Sequence, residues 1–273
     1  MRHHCTLLLA GVAVWAYCAT ASAESIYTQD FENVTVAGLT QWSFADVHSG
    51  KAVILSTNPP PPQPNQTPLA PTKFLGEFGG EDAVHLTLPL GANVATVRLQ
   101  FDVYLLRTWD GSDQAHFGGP DIFGFGINGL APLVDASFSN GFGNQSYCPD
   151  APNPSSCAPT WGSDPNQKNR LGFNVELEPT VPNGAPAKGT PMSLVYHFDK
   201  TVAYTGNTIT FNFFSDGLQV HDDLPNKVID ESWGLDNFGV SATFVPEPYA
   251  WVSMLAGLLF IGYTAQRRIR PQR

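Results

Sequence analysis

Hydrophobic side chains recur at every second position through most of this chain. Val97, Leu99, Phe101, Val103 and Leu105 alternate with Arg98, Gln100, Asp102 and Tyr104. The same alternation runs through Val84, Leu86 and Leu88, through Phe123, Phe125 and Ile127, and through Ile209, Phe211 and Phe213. It returns at Phe238, Val240, Ala242 and Phe244. Successive strand side chains point to opposite faces, so each run predicts a strand with one buried and one wetted face. No helical period shows between the two ends. The 25 glycines and 23 prolines suit many turns, and the 18 phenylalanines suit a thick core. The expected class is all-β, an antiparallel sandwich with long Pro/Gly-rich loops. Trp42 and Trp233 sit in strand-like context and are expected in the core.

The two ends read differently. Arg2 precedes an apolar run from Cys5 to Tyr17, and Ala21-Ser22-Ala23 follows. A short cationic start, an apolar centre and a small-x-small site predict a signal peptide over 1–23, cut before Glu24. At the other end, Val245-Pro246-Glu247-Pro248 precedes an apolar run from Tyr249 to Ala265, and Arg267, Arg268 and Arg270 follow. A run of about 17 residues spans about 25 Å as a helix, the short end of a bilayer core. It predicts a single transmembrane helix with the basic tail inside and the body outside. The order of proline-rich motif, apolar run and arginine cluster resembles the PEP-CTERM sorting signal of exported Gram-negative proteins. The resemblance assigns 245–270 to that signal and implies an exosortase-type sorting enzyme as partner. It also implies passage through the inner membrane, then release to the cell surface or extracellular matrix.

Between the ends lies one expected domain over 24–244. The whole chain carries a net charge of −10, and loss of the terminal arginines makes the body more acidic. An anionic surface does not displace counterions from a phosphate backbone, which argues against nucleic acid. Cys5 and Cys18 leave with the leader, and Cys148 and Cys157 remain. An even pair in an oxidising compartment predicts a disulfide. Closing so short a loop is worth about 2.5–3 kcal/mol. The stretch from Asn58 to Thr72 is dense in proline and predicts a stiff surface excursion. Cys148 to Pro191 is a second long loop, with a short strand expected near Leu171 to Glu176.

Three short motifs suggest candidate chemistry. Tyr27-Thr28-Gln29-Asp30-Phe31-Glu32 opens the body, Trp233-Gly234-Leu235-Asp236-Asn237-Phe238 opens its last strand, and Trp109-Asp110-Gly111 follows the long central strand. Together they resemble carbohydrate-binding-module-like or lectin-like jelly rolls of exported bacterial proteins. The resemblance implies jelly-roll topology with paired terminal strands. It also implies a structural calcium held by Asp30, Glu32 and Asp236. Independently, Asp110, Asp113 and Asp121 are separated by glycines, so their oxygens can fold around one hard cation such as calcium. Side-chain caps on turns explain the same aspartates equally well. Trp109 and Trp161 fall in predicted loops, where exposed rings stack on sugars.

Enzyme patterns are thin. The chain has no Gly-x-Ser-x-Gly elbow, no His-Glu-x-x-His helix and no phosphate-cradling Gly-Lys-Ser/Thr loop. Asp230 and Glu231 point to opposite faces of a strand and cannot act as a glycosidase pair. The expected function is therefore non-catalytic: an exported envelope or matrix protein that binds, or is embedded in, extracellular polysaccharide. The alternatives are a structural or adhesive surface protein without a small-ligand site, and a glycoside hydrolase or lyase.

Overall fold

The computed structural model describes residues 23–45, 52–56, 72–107, 109–112, 119–139, 144–148, 194–221, 228–229, 231–245 and 248–269. The alternating runs become strands. In chain order they are β1 (Ala23–Gln29), β2 (Trp42–Ala45), β3 (Val53–Ser56), β4 (Lys73–Gly79), β5 (Ala83–Pro89), β6 (Val94–Arg107), β7 (Ile122–Ile127) and β8 (Val134–Ser137). After them come β9 (Leu194–Ala203), β10 (Thr208–Asp216), β11 (Val220–His221), β12 (Val228–Ile229) and β13 (Glu231–Phe244). One sheet has the order β3-β4-β13-β6-β9, with β1 also paired to β13. The other has the order β2-β5-β10-β7-β8, and β11 with β12 forms a small ribbon. All pairings are antiparallel.

The inner faces of the two sheets meet in an aromatic core. Val97, Leu99, Phe101, Val103 and Leu105 of β6 are all buried. The Phe101 ring lies 4.8 Å from Phe125 of β7 and 5.2 Å from each of Phe198, Phe213 and Phe238. The meetings with Phe125 and Phe213 are edge-to-face and those with Phe198 and Phe238 are stacked, both arrangements open to ring quadrupoles. Each such side chain taken from water stabilises by about 1.5–3 kcal/mol. Trp42 and Trp233 both join this core.

The terminal strands pair as expected, with Gln29 opposite Phe238 and Ala23 opposite Thr243. β13 thus has β6 along one edge and two neighbours sharing the other. β4 faces Ser232 to Leu235, and β1 faces Phe238 to Thr243. The register against β6 shifts between Asp236 and Gly239, where Asn237 has φ 51°. A bulge of this kind lets the strand twist from one neighbour to the next.

The wetted outer face expected on β6 and β13 is only partly present. Phe74, Tyr104, Leu106 and Val195 form a second buried cluster, on the face of the six-stranded sheet opposite the main core. The strand start Glu231 to Asp236 is consequently buried on both faces.

The chain divides into two compact units, Ala23–Phe244 and the two ends taken together. The second unit contains α1 (Pro248–Ile269), a 22-residue helix with Leu255, Leu258, Leu259, Phe260, Ile261 and Tyr263 exposed. Among the described residues, no helix is long and apolar enough to cross a membrane. The stretch 249–265 expected as a spanning segment is helical. Ser253, Gly257, Gly262, Thr264 and Gln266 dilute its apolar run. Residues 1–22 of the leader expected over 1–23, residues 58–71 of the excursion expected over 58–72, and the expected strand at 171–176 lie outside the described residues.

Candidate functional site

β6 and β13 run antiparallel, so the end of one lies beside the start of the other. Glu231 is the register partner of Arg107. Two residues beyond Arg107 the backbone turns, and Asp110 forms an isolated bridge with Ser139. From the opposite sheet, Asp121 directly precedes β7. These three converge: ligand oxygens of Asp110, Asp121 and Glu231 all lie within 4.8 Å of one another, and all three residues are buried. The set joins both sheets at one end of the sandwich.

Hydrogen bonds fix the carboxylates in place. The Asp110 amide donates to Asp121 Oδ2. The Gln219 amide donates to Glu231 Oε2 at 2.6 Å. The supporting loops are tied together as well. The Asp121 amide donates to Gly111 O at 2.9 Å, Phe138 N to Asp121 O at 3.0 Å, and Ser112 N to Asn144 O at 2.7 Å. Two glycines permit this closeness. Gly111 has φ +75°, and a Cβ there would lie 2.4 Å from Asn144 O. Gly217 has φ +76°, and its Cβ would lie 2.2 Å from Pro120 O.

At an effective dielectric of about 20, two full negative charges about 4.8 Å apart repel by about 3–4 kcal/mol. A divalent cation between the three reverses that sign. Three hard carboxylate groups, two of them held by backbone donors, suit calcium rather than a soft metal. The donor set therefore fits the expected chemistry, with one change of membership. Asp110 and Asp121 come together as expected, Asp113 lies outside the described residues, and Glu231 is the third carboxylate, which sequence reasoning passed over.

The second expected set does not form. Asp30, Glu32 and Asp236 are all described, yet the triad above is the one group of three His, Cys, Asp or Glu ligands that converges among the described residues. Asp30 Oδ1 accepts from the Glu32 amide at 3.2 Å and shapes the turn after β1. Glu32 Oε1 accepts from the Lys73 amide at 2.8 Å, and its carbonyl accepts from Lys73 Nζ at 2.7 Å. Asp236 is buried elsewhere, against Tyr104 and Asn237. Among the described residues the three do not converge as one ligand set.

Trp109 is also corrected. It follows β6 as a loop residue should, but its exposure is 0%. Its indole Nε1 donates to both Leu106 O at 3.0 Å and Ser232 O at 2.9 Å. The ring plugs the same end of the sandwich and meets Phe138 edge-on. A sugar has no access to it. Trp161 lies outside the described residues. Cys148 is disulfide-bonded, and Cys157 lies outside the described residues. So do Pro246, Glu247 and Arg270. Val245 is exposed, Pro248 opens α1, and Arg267 and Arg268 lie in its last turn.

The outer face of the five-stranded sheet is the surface that differs most from these buried sites. Phe214 of β10 pairs with Gly124 of β7, and three of its ring atoms occupy the space a Cβ on Gly124 would need. The ring thus lies flat on the sheet and stays partly exposed. Around it, His85 Nδ1 and Asn212 Oδ1 are 2.8 Å apart, and the hydroxyls of Thr87 and Thr210 are 3.0 Å apart. Ser43 extends the row through its pairing with His85.

No protein-family model matches this sequence, and neither does any curated protein. Among solved structures, the chain is similar to an arabinose-bound GH51 α-L-arabinofuranosidase at 14% identity and TM-score 0.32. That match covers 81% of this chain and 27% of the other, so this chain spans about a quarter of that protein. It is also similar to the K3 cleaved adhesin domain of Lys-gingipain from Porphyromonas gingivalis, at 13% identity and TM-score 0.30. That match covers 80% of this chain and 98% of the domain.

The two site glycines supply a direct test. Gly217→Ala is expected to destabilise the sandwich by about 2–3 kcal/mol, through its left-handed backbone and the clash with Pro120 O. Gly91 has φ +81° with nothing within 4 Å of its Cβ position, so Gly91→Ala is expected to cost about 1 kcal/mol. Urea midpoints for the two variants check this, and equal midpoints would count against the packed loop.

Proposed function

We propose that this chain is an exported envelope protein whose sandwich holds neutral extracellular polysaccharide on the outer face of the five-stranded sheet, with calcium pinning the loop end. The observation that carries the reading is the Phe214 ring lying flat on Gly124. A ring in that pose offers its free face to the C–H face of a pyranose. His85 Nδ1–H donates to Asn212 Oδ1, which leaves the Asn212 NH2 and His85 Nε2 for sugar hydroxyls. Thr87, Thr210 and Ser43 add hydroxyls that both donate and accept. On β2, β5 and β10 the groups beside the ring are uncharged, and the one acid in the Phe214 row is the exposed Asp135 of β8, across Gly124. An uncharged chain docks there without meeting the repulsion that an acidic protein gives an acidic glycan.

The calcium part rests on Asp110, Asp121 and Glu231. The ion would tie the end of β6 and the start of β13 to the start of β7, holding both sheets together. Its role is structural, and the sugar face lies on another part of the sandwich. Delivery rests on the ends of the chain. The leader over 1–23, the Val245-Pro246-Glu247-Pro248 motif and the arginine tail direct export and sorting by an exosortase-type transpeptidase. Compatible with this, β13 ends at Phe244, before the sorting motif.

Three measurements test the parts separately. Affinity electrophoresis through gels containing neutral polysaccharides is expected to retard the protein. Phe214→Ala is expected to weaken binding ten- to thirtyfold, about 1–2 kcal/mol, and Asn212→Ala to weaken it further toward none. Free migration in every polysaccharide would overturn the sugar reading and leave an adhesive or structural protein.

Calcium at about a hundredfold over its Kd is expected to stabilise by about 2.7 kcal/mol, or about 5–10 °C in Tm for a domain of this size. Chelator should reverse the shift, and Asp121→Asn or Glu231→Gln should abolish it. An unchanged Tm would remove calcium. The intact mass of the protein recovered from the producing cell should begin at Glu24 and lack the residues after the sorting motif. A full-length mass would refute the delivery route.

A further inference from the structure

The outer face of the six-stranded sheet carries a row of ionisable side chains at the bulge of β13. Asp102 of β6 is the register partner of both Asp236 of β13 and His197 of β9. Asp102 Oδ1 lies 2.7 Å from His197 Nδ1, and its Oδ2 accepts from Asn237 Nδ2 at 2.8 Å. Asp236 Oδ1 accepts from the Asn237 amide at 2.7 Å, and Oδ2 lies 3.0 Å from Tyr104 Oη. Tyr104 Oη is in turn 3.4 Å from Thr72 Oγ1. Asp102, Asp236 and Tyr104 are buried, while His197 and Asn237 reach the surface. The row therefore crosses β9, β6 and β13 from solvent to interior.

We propose that this row is a proton-operated latch: a proton on the Asp236 carboxyl ties β13 to β6 at the bulge, and its loss loosens that segment. The geometry gives each state a mechanism. With the proton present, a neutral carboxyl sits beside Asp102, and Asp236 Oδ2 keeps its hydrogen bond from Tyr104 Oη. With the proton gone, two carboxylates face each other on paired strands in a dry site. The charged groups around Asp236 are Asp102 and Tyr104 on β6, His197 on β9, Glu32 after β1, and Lys73 on β4. Lys73 is engaged by Glu32, and His197 by Asp102. No cation among the described residues contacts Asp236 directly.

Burial is the main force on this carboxyl. It pushes Asp236 up from 3.8 to about 7, with Asp102 and Glu32 adding to the rise and the Asn237 and Tyr104 hydrogen bonds opposing it. Burial likewise raises Tyr104, which stays a neutral hydroxyl. An acid raised on folding takes up a proton when the chain folds. Stability is therefore greatest below the unfolded value, falls as pH rises between about 4 and 7, and is level above that. One proton corresponds to about a tenfold loss in folding equilibrium per pH unit inside the window.

Asp236→Asn tests the latch, because the amide keeps an oxygen for the Asn237 N–H and offers an N–H to Tyr104. Urea unfolding between pH 5 and 8 should show the wild type losing at least tenfold in folding equilibrium relative to the variant. Hydrogen exchange, corrected for its intrinsic pH dependence, should speed up at Asn237, Phe238 and Gly239 of the wild type as pH rises from 6 to 8, and stay constant in the variant. Tyr104→Phe keeps the ring but removes the hydrogen bond, so it should move the midpoint to higher pH. It supplies a second reading should Asp236→Asn not fold. Parallel curves for wild type and variant, or exchange at the bulge indifferent to pH, would overturn the latch.

Discussion

Everything in this sandwich depends on how β13 shares its edges. One side runs along β6, and the other must serve β4 first and β1 afterwards. A single straight strand meets one neighbour per edge, so a change of partner needs a change of twist. The bulge at Asp236 to Gly239 supplies it, and Asn237 accepts the left-handed backbone that the bulge requires. On the inner side the bulge still delivers Leu235 and Phe238 to the core. Phe238 then meets Phe101, Phe213 and Trp42, so the aromatic centre is built around the residue just past the distortion.

The cost of that solution appears on the other side of the sheet. Before the bulge, β13 is covered on both faces, and its outward residues are Ser232, Gly234 and Asp236. Polar groups held out of water need partners. Ser232 hydrogen-bonds Glu77 and receives the Trp109 indole on its carbonyl, while Asp236 takes Asn237 and Tyr104. Glu231 at the strand start meets Asp110 and Asp121 instead. The two acidic sites are thus consequences of one strand being buried on both sides. They differ in means of relief: three converging carboxylates suit a cation, whereas Asp236, tied to a phenol and a backbone amide, suits a proton.

Period-two alternation made β5, β10, the first half of β6 and the second half of β13 legible, because each has one face in the aromatic core and the other near water. It misled where that condition fails. Trp109 was read as exposed because it follows a strand in a Gly-rich stretch, but its indole is held inside by the Leu106 and Ser232 carbonyls. Glu231 was set aside as one of two adjacent acids on opposite faces. What brings it to Asp110 is strand pairing, since the first residue of β13 lies beside the last of β6. Had that pairing been drawn from the matching hydrophobic runs, Glu231 would have stood next to Asp110 on the sequence alone. Asp236 was correctly singled out but given the wrong company. Asp102 and His197 lie on other strands, and no local spacing points to them.

The sugar face follows from the same contrast between the sheets. The six-stranded sheet buries much of its outer side, so its polar groups are consumed by internal partners. On the five-stranded sheet the outer residues of β10 stay partly open, from Thr210 through Asn212 to Phe214. Gly124 lets the Phe214 ring lie down, since any side chain there would lift it edge-up. Aromatic packing over a strand glycine stabilises a sheet by itself, and that alone explains why the ring is tolerated. It does not explain the uncharged hydroxyl, amide and imidazole groups of β2, β5 and β10 beside it on a protein of net charge −10. Solubility would be served as well by charges there. A flat, neutral, hydrogen-bonding surface around one open ring is what a neutral polysaccharide requires, and it is the physical reason for placing the ligand on this sheet rather than at the loops.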